Sequence, residues 1–112
     1  MGRVVAEVTV VPLGTGSASL SAYVAEVQKV LAGFPGLKSL LTPMSTLLEG
    51  ELGEVLGAVQ AMHEVPFRMG ALRVSTTLRV DDRRDKPVTM EGKIEAVKRK
   101  LSDDPEAPRP GG

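Results

Sequence analysis

The sequence predicts an α+β fold of the ferredoxin-like kind, βαββαβ with a further C-terminal helix: a four-stranded antiparallel sheet carrying two helices on one face. Separated stretches, Val4 to Val11 and Arg73 to Asp81, alternate with the period of a strand. Between and after them apolar residues recur at helical spacing, over Ala18–Ala32, Leu52–Val65 and from Met90 to Leu101. Proline and glycine punctuate every change of period. Right-handed crossovers then put the first and third strands at the centre.

The first strand separates Val4, Ala6, Val8 and Val10 on one face from Val5, Glu7, Thr9 and Val11 on the other. The first set requires a core, whereas the second mixes oil, acid and hydroxyl, and the search for function starts there. Pro12 and Gly14 are expected to end pairing, and Ser17 or Ser19 to cap the first helix. Gly33, Pro35 and Gly36 stop that helix. Leu37–Thr42 and Ser45–Gly50 read as strands joined by a tight turn at Pro43. On the second helix Leu52, Val55, Leu56, Val59, Met62 and His63 form the buried side, and Pro66 kinks or terminates it, with Gly70 as its latest end. In the fourth strand Val74, Thr76, Leu78 and Val80 oppose Arg73, Ser75, Thr77, Arg79 and Asp81. The third helix shows Met90, Ile94, Val97 and Leu101 on one side, and Lys93, Lys98, Arg99 and Lys100 on the other, read as a solvated face.

At 112 residues the chain makes one domain, assigned to 1–101, with a proline-rich disordered tail over 102–112. With two Phe, one Tyr and no Trp, its core is aliphatic, and the five Met fill gaps. Fourteen basic and fourteen acidic residues cancel, which removes the footprint of a general nucleic-acid binder. The absence of cysteine excludes a disulfide framework, a thiolate zinc site and a cysteine nucleophile. A single histidine, His63, makes no metal constellation and reads as a satisfied boundary residue. MGRVVAEV lacks the apolar run of a leader, and no stretch approaches the roughly 18 apolar residues of a membrane span. No membrane association and a cytoplasmic location are expected.

The sheet face without helices carries Val5, Glu7, Thr9, Val11, Leu47, Glu49, Ser75, Thr77 and Arg79, with nothing but the short third helix to cover it, and its apolar members suggest association between subunits. Glu49, flanked by apolar residues at the sheet centre, needs a cation, donors or a proton, and an ion pair with Arg79 would supply the first. Glu7 is a second acid there. Thr9, Ser75, Thr77 and Thr46 offer hydroxyls nearby, although threonine on a strand is ordinary. Thr15, Ser17 and Ser19 form a candidate anion site at the start of the first helix, too short for a phosphate motif and better explained by capping through Ser17 or Ser19. Asp81, Asp82, Arg83, Arg84 and Asp85 compensate one another, as solvated loops do. No nucleophile, base and orienter can be assembled, so no catalytic residue is assigned.

AEVTVVPLGTGSASLSAYV, STLLEGE and VSTTLRVDDRRD, in that order and at those intervals, resemble the thiamine-binding-protein-like family, the UPF0045 or DUF77 group, over about Val4 to Leu101. The resemblance implies a ferredoxin-like subunit assembled into a homotetramer as a dimer of dimers, in a family whose members bind thiamine or its hydroxymethylpyrimidine part. It implies no established enzymatic activity and no other cofactor. Under it, Glu49, Glu7, Thr9, Thr46, Thr77 and Arg79 become ligand-binding candidates, an aminopyrimidine presenting a donor pair to a carboxylate; the Thr15–Ser19 loop could take a thiamine phosphate; and Asp81 and Arg83 become subunit contacts. Pro66 and the proline-rich tail depart from the family's usual pattern. A structural or regulatory oligomer without a ligand, or an enzyme, remain the alternatives.

Overall fold

The computed structural model describes residues 2–106. Strand β1 spans Arg3–Leu13, helix α1 Ser21–Lys29, β2 Lys38–Leu41, β3 Thr46–Glu51, α2 Leu52–Arg68, β4 Arg73–Asp81 and α3 Met90–Asp103, with a 3-10 turn at Val30–Gly33 after α1. The strands form one antiparallel sheet in the order β2-β3-β1-β4. As expected, β1 and β3 are central.

Parity decides what is buried. Val4, Ala6 and Val8 of β1 and Leu48 of β3 face α1 and α2 and form the core with Val27 of α1 and Val55, Ala58, Val59, Met62 and Val65 of α2. The apolar stripe of α2 is turned slightly from its expected position: Leu56 is exposed, while Ala58, Val65 and Pro66 are buried. Pro66 lies in the last turn of α2 and removes one main-chain bond, to the carbonyl four residues back, but the helix runs on to Arg68. It then closes in a Schellman arrangement, Gly70 N–H donating to Phe67 O (3.1 Å) and Ala71 N–H to Pro66 O (2.9 Å). Gly70, at φ +103°, takes the left-handed position this closure requires.

Two expectations near the first break are corrected. Helix α1 starts at Ser21 rather than Ala18, and its N-cap, Leu20, makes no side-chain cap. Instead the hydroxyls bond locally: Thr15 Oγ1 donates to Ser17 O (3.1 Å) and Ser19 N–H to Ser17 Oγ (3.2 Å), which competes with helical bonding. Pro12 does not end pairing; it stands opposite Val74 in the β1–β4 ladder. The bonds from Thr42 N–H to Ser45 O (2.8 Å) and from Leu52 N–H to Gly2 O (2.8 Å) set the phase of the ladders. Even-numbered β1 residues turn their main chain toward β3 and odd-numbered ones toward β4. The β1–β3 ladder ends at Val8, so the Pro12 nitrogen, which has no proton to give, points where no strand is paired.

The β2–β3 turn is tight, as expected. Thr42 Oγ1 accepts from Ser45 N–H (3.0 Å) and Met44 N–H (3.3 Å), and Pro43 sits where no ladder donor is needed. The final helix runs two residues past its expected end at Leu101, to Asp103, and residues 107–112 of the expected disordered tail lie outside the described residues.

Candidate functional site

The sheet face away from α1 and α2 is built in rows fixed by register. One row runs Lys38, Glu49, Val5, Asp81 across β2, β3, β1 and β4; the next runs Leu40, Leu47, Glu7, Arg79. Thr9 opposite Thr77 and Val11 opposite Ser75 follow, past the end of β3. Helix α3 returns over the first row and leaves a cleft of about 620 Å³ between itself and the sheet. The cleft floor is Val5, Leu40, Leu47, Glu7 and Arg79, and its roof is Met90, Ile94, Glu91 and Glu95.

The first turn of α3 is fastened to that first row. Lys38 pairs with Glu91 at the β2 edge and Lys93 with Asp81 at the β4 edge. Between them the Met90 N–H donates to Glu49 Oε1 at 2.7 Å. Thr89 caps the helix, accepting from Gly92 N–H at 2.9 Å. The Glu91 carboxylate holds the Lys38 ammonium above its ordinary range and is itself held below the usual carboxylate range by that ammonium.

This arrangement relocates several expected roles. Glu49 is 6% exposed, as a central-strand acid should be, but its cation is Arg3 (Nη2 to Oε2, 3.7 Å) and not Arg79. Arg79 stands opposite Glu7, in the cleft, and makes no hydrogen bond or ion pair among the described residues. Glu7 Oε2 accepts from Ser45 Oγ at 2.9 Å. Thr46 is on the wrong side of the sheet for a shared site: it pairs with Val8 in the helix-facing set, and its hydroxyl accepts from Gln28 Nε2 at 2.9 Å. Thr9 and Thr77 share the open face with Glu7 and Arg79 but sit one row outside the cleft lining.

Lys38, Met90, Glu91, Lys93 and Ile94 were not among the sequence candidates. The signal for them was the stripe of α3 and the Lys38–Leu40 alternation, while Lys93 and Lys98, read as solvated, line the cleft instead.

His63 is satisfied on the other face: its Nδ1 lies 2.7 Å from Thr76 Oγ1 and its ring meets Phe67 edge-on at 5.5 Å. Among the described residues no cluster could hold a metal ion, and no helix is long and apolar enough to cross a membrane. The loop after β4 compensates itself as expected, Arg84 with Asp82 (2.8 Å) and Arg83 bidentate with Asp85 (2.5 and 2.8 Å). The Arg83 guanidinium pulls the Asp85 carboxyl down to about 2. A carboxyl whose folded pKa is depressed contributes above its unfolded value and loses that contribution as pH falls through the folded value, here between 3.8 and about 2. In Arg83→Ala, NMR titration should return the Asp85 midpoint to the ordinary 3.8, and an unmoved midpoint would exclude the bidentate pair in solution.

Comparison with known proteins gives consistent findings. Residues 6–98 match the model of a family described as "Thiamine-binding protein". The UPF0045 protein YqgV of Bacillus subtilis is 52% identical over 100 residues, covering 87% of this chain and 96% of that protein. A UPF0045 protein of Methanothermobacter thermautotrophicus is 46% identical over 99 residues, covering 88% and 99% of the respective chains. Among solved structures, hypothetical protein MJ1052 of Methanocaldococcus jannaschii superimposes with a TM-score of 0.78 at 40% identity, covering 87% of this chain and 97% of that one.

Proposed function

Because the chain belongs to the thiamine-binding protein family, we propose that the cleft beneath α3 binds a small molecule, thiamine or a hydroxymethylpyrimidine-type ligand, in a homo-oligomer, with the tetramer as the expected assembly. The observation that carries this reading is the cleft itself: about 620 Å³, with an apolar floor of Val5, Leu40 and Leu47, an apolar roof of Met90 and Ile94, and the opposed Glu7 and Arg79 inside it. A mostly apolar concavity with few polar groups placed by rigid strands is what a small ligand needs. In this reading Glu7 takes the role of the aminopyrimidine-recognising carboxylate, since the Glu49 Oε1 is occupied by the Met90 N–H. Arg79 donates to a hydroxyl or phosphate. Leu47, Met90 and Ile94 flank the ring, because Tyr23, Phe34 and Phe67 are absent from the lining.

Calorimetric titration of the full chain with thiamine and with hydroxymethylpyrimidine tests the proposal. Saturable heat is expected, and Glu7→Gln should weaken it about tenfold or more, the scale of one charge-assisted hydrogen bond. Silence at millimolar ligand would refute it. The exposure of Ile94 and Val97, 57% each, favours a second reading in which a partner subunit fills the cleft. Light scattering near four times 11.8 kDa together with silent titrations would select that alternative.

A further inference from the structure

The roof of the cleft is held at one end. Val88 and Met90 are buried at the start of α3, Thr89 caps it, and the pairs Lys38–Glu91 and Lys93–Asp81 span the row whose centre is Glu49. Beyond Lys93, among the described residues, no hydrogen bond or ion pair ties α3 to the sheet. The helix is 14 residues long, roughly 21 Å at 1.5 Å per residue, so most of it overhangs. Ile94, Val97 and Leu101 lie on the side that carries Met90, and Ile94 faces the apolar floor across open space. Apolar surfaces facing one another across a gap gain by closing on an occupant, because closure removes both from water.

The pin is chemically specific. Glu49 is central and buried, and its Oε1 accepts a main-chain N–H of the first helical residue, a group no intrahelical carbonyl can satisfy. A carboxylate there also faces the positive end of the helix dipole. The Arg3 guanidinium compensates the other oxygen. The charge of Glu49 is thus balanced without its entering the cleft lining.

We propose that Glu49 is a positioning residue that pins α3 as a flap, which closes its Ile94 side onto Val5, Leu40 and Leu47 when the cleft takes a ligand. The closing step rests on the binding reading above; the pin does not. Amide hydrogen exchange on the full chain, read by mass spectrometry, separates the two. In Glu49→Ala the amides of residues 90–101 should exchange about tenfold faster or more, while those of Leu48 and Val55 to Met62 change by less than about twofold. Glu49→Gln, which keeps an acceptor oxygen but not the charge, should fall between and also serves if the alanine variant does not fold. Unchanged α3 exchange in the variants, or core and α3 loosening together, overturns the pin. Thiamine at millimolar concentration should slow exchange over residues 94–101 in the unaltered chain and not in Glu49→Ala. Slowing that survives in Glu49→Ala overturns the positioning role; no slowing beside saturable calorimetric heat overturns closure and leaves the binding reading standing, whereas no slowing beside silent calorimetry overturns both.

Discussion

Replacing Leu48 by alanine should lower stability by about 3 kcal/mol, within the range for a fully enclosed leucine, and lower Tm by roughly 12 °C for a domain of this size. Leu48 is 0% exposed and is among the largest fully buried side chains, on a central strand opposite Ala6. That neighbour is already small, so little can move in to fill the space, and the cavity term adds to the lost transfer energy. Leu72→Ala is the control: Leu72 is 95% exposed, and its truncation should change stability by less than about 0.5 kcal/mol. Thermal and urea unfolding of both variants check this. A Leu48→Ala loss no greater than that of Leu72→Ala would mean that the core is not centred on β1 and β3.

Gly50→Val should cost about as much, near 3 kcal/mol, for the opposite reason. Gly50 is buried opposite Val4, and a Cβ added there would come within 2.4 Å of Leu37 Cδ2 and 3.5 Å of the Gly36 carbonyl oxygen. The two extra methyls of valine aggravate an overlap that Leu37, packed against the core, can relieve only by giving up its own contacts. In a Leu37→Ala background the added cost of Gly50→Val should fall to about 1 kcal/mol, a coupling that a double-mutant cycle measures directly. Additive losses would show that the crowding is not with Leu37.

Strand β4 was legible residue for residue, because RVSTTLRVD alternates without interruption and both of its faces have a destination. The parity of Glu7, Glu49, Thr77 and Arg79 was legible for the same reason, and all share the open face. Which of them meet was not. Arg3 and Arg79 have the same parity, and register, fixed by the β2–β3 turn and the α2–β4 connection, decides that Glu49 meets Arg3 while Arg79 stands opposite Glu7. Thr46 was misplaced through its proximity in sequence to Leu47, although one residue along a strand changes the face. The contact between Glu49 and Met90 spans 41 residues and depends on how the aperiodic stretch DDRRDKPVT turns the chain, which no apolar pattern records. The late start of α1 has a local cause that was visible but read as capping: the hydroxyls of Thr15, Ser17 and Ser19 serve the loop before they can serve the helix.

The proline in the first strand bears on how the protein behaves in a crowded solution. Past Val8, β1 offers a bare margin on which an unfolded chain could dock and extend the sheet toward fibrils. At Pro12 an incoming strand finds a carbonyl but no amide proton, and a rigid ring where a pleat should continue. Edge-to-edge aggregation is thereby discouraged on the stretch of β1 that lies beyond the end of β3.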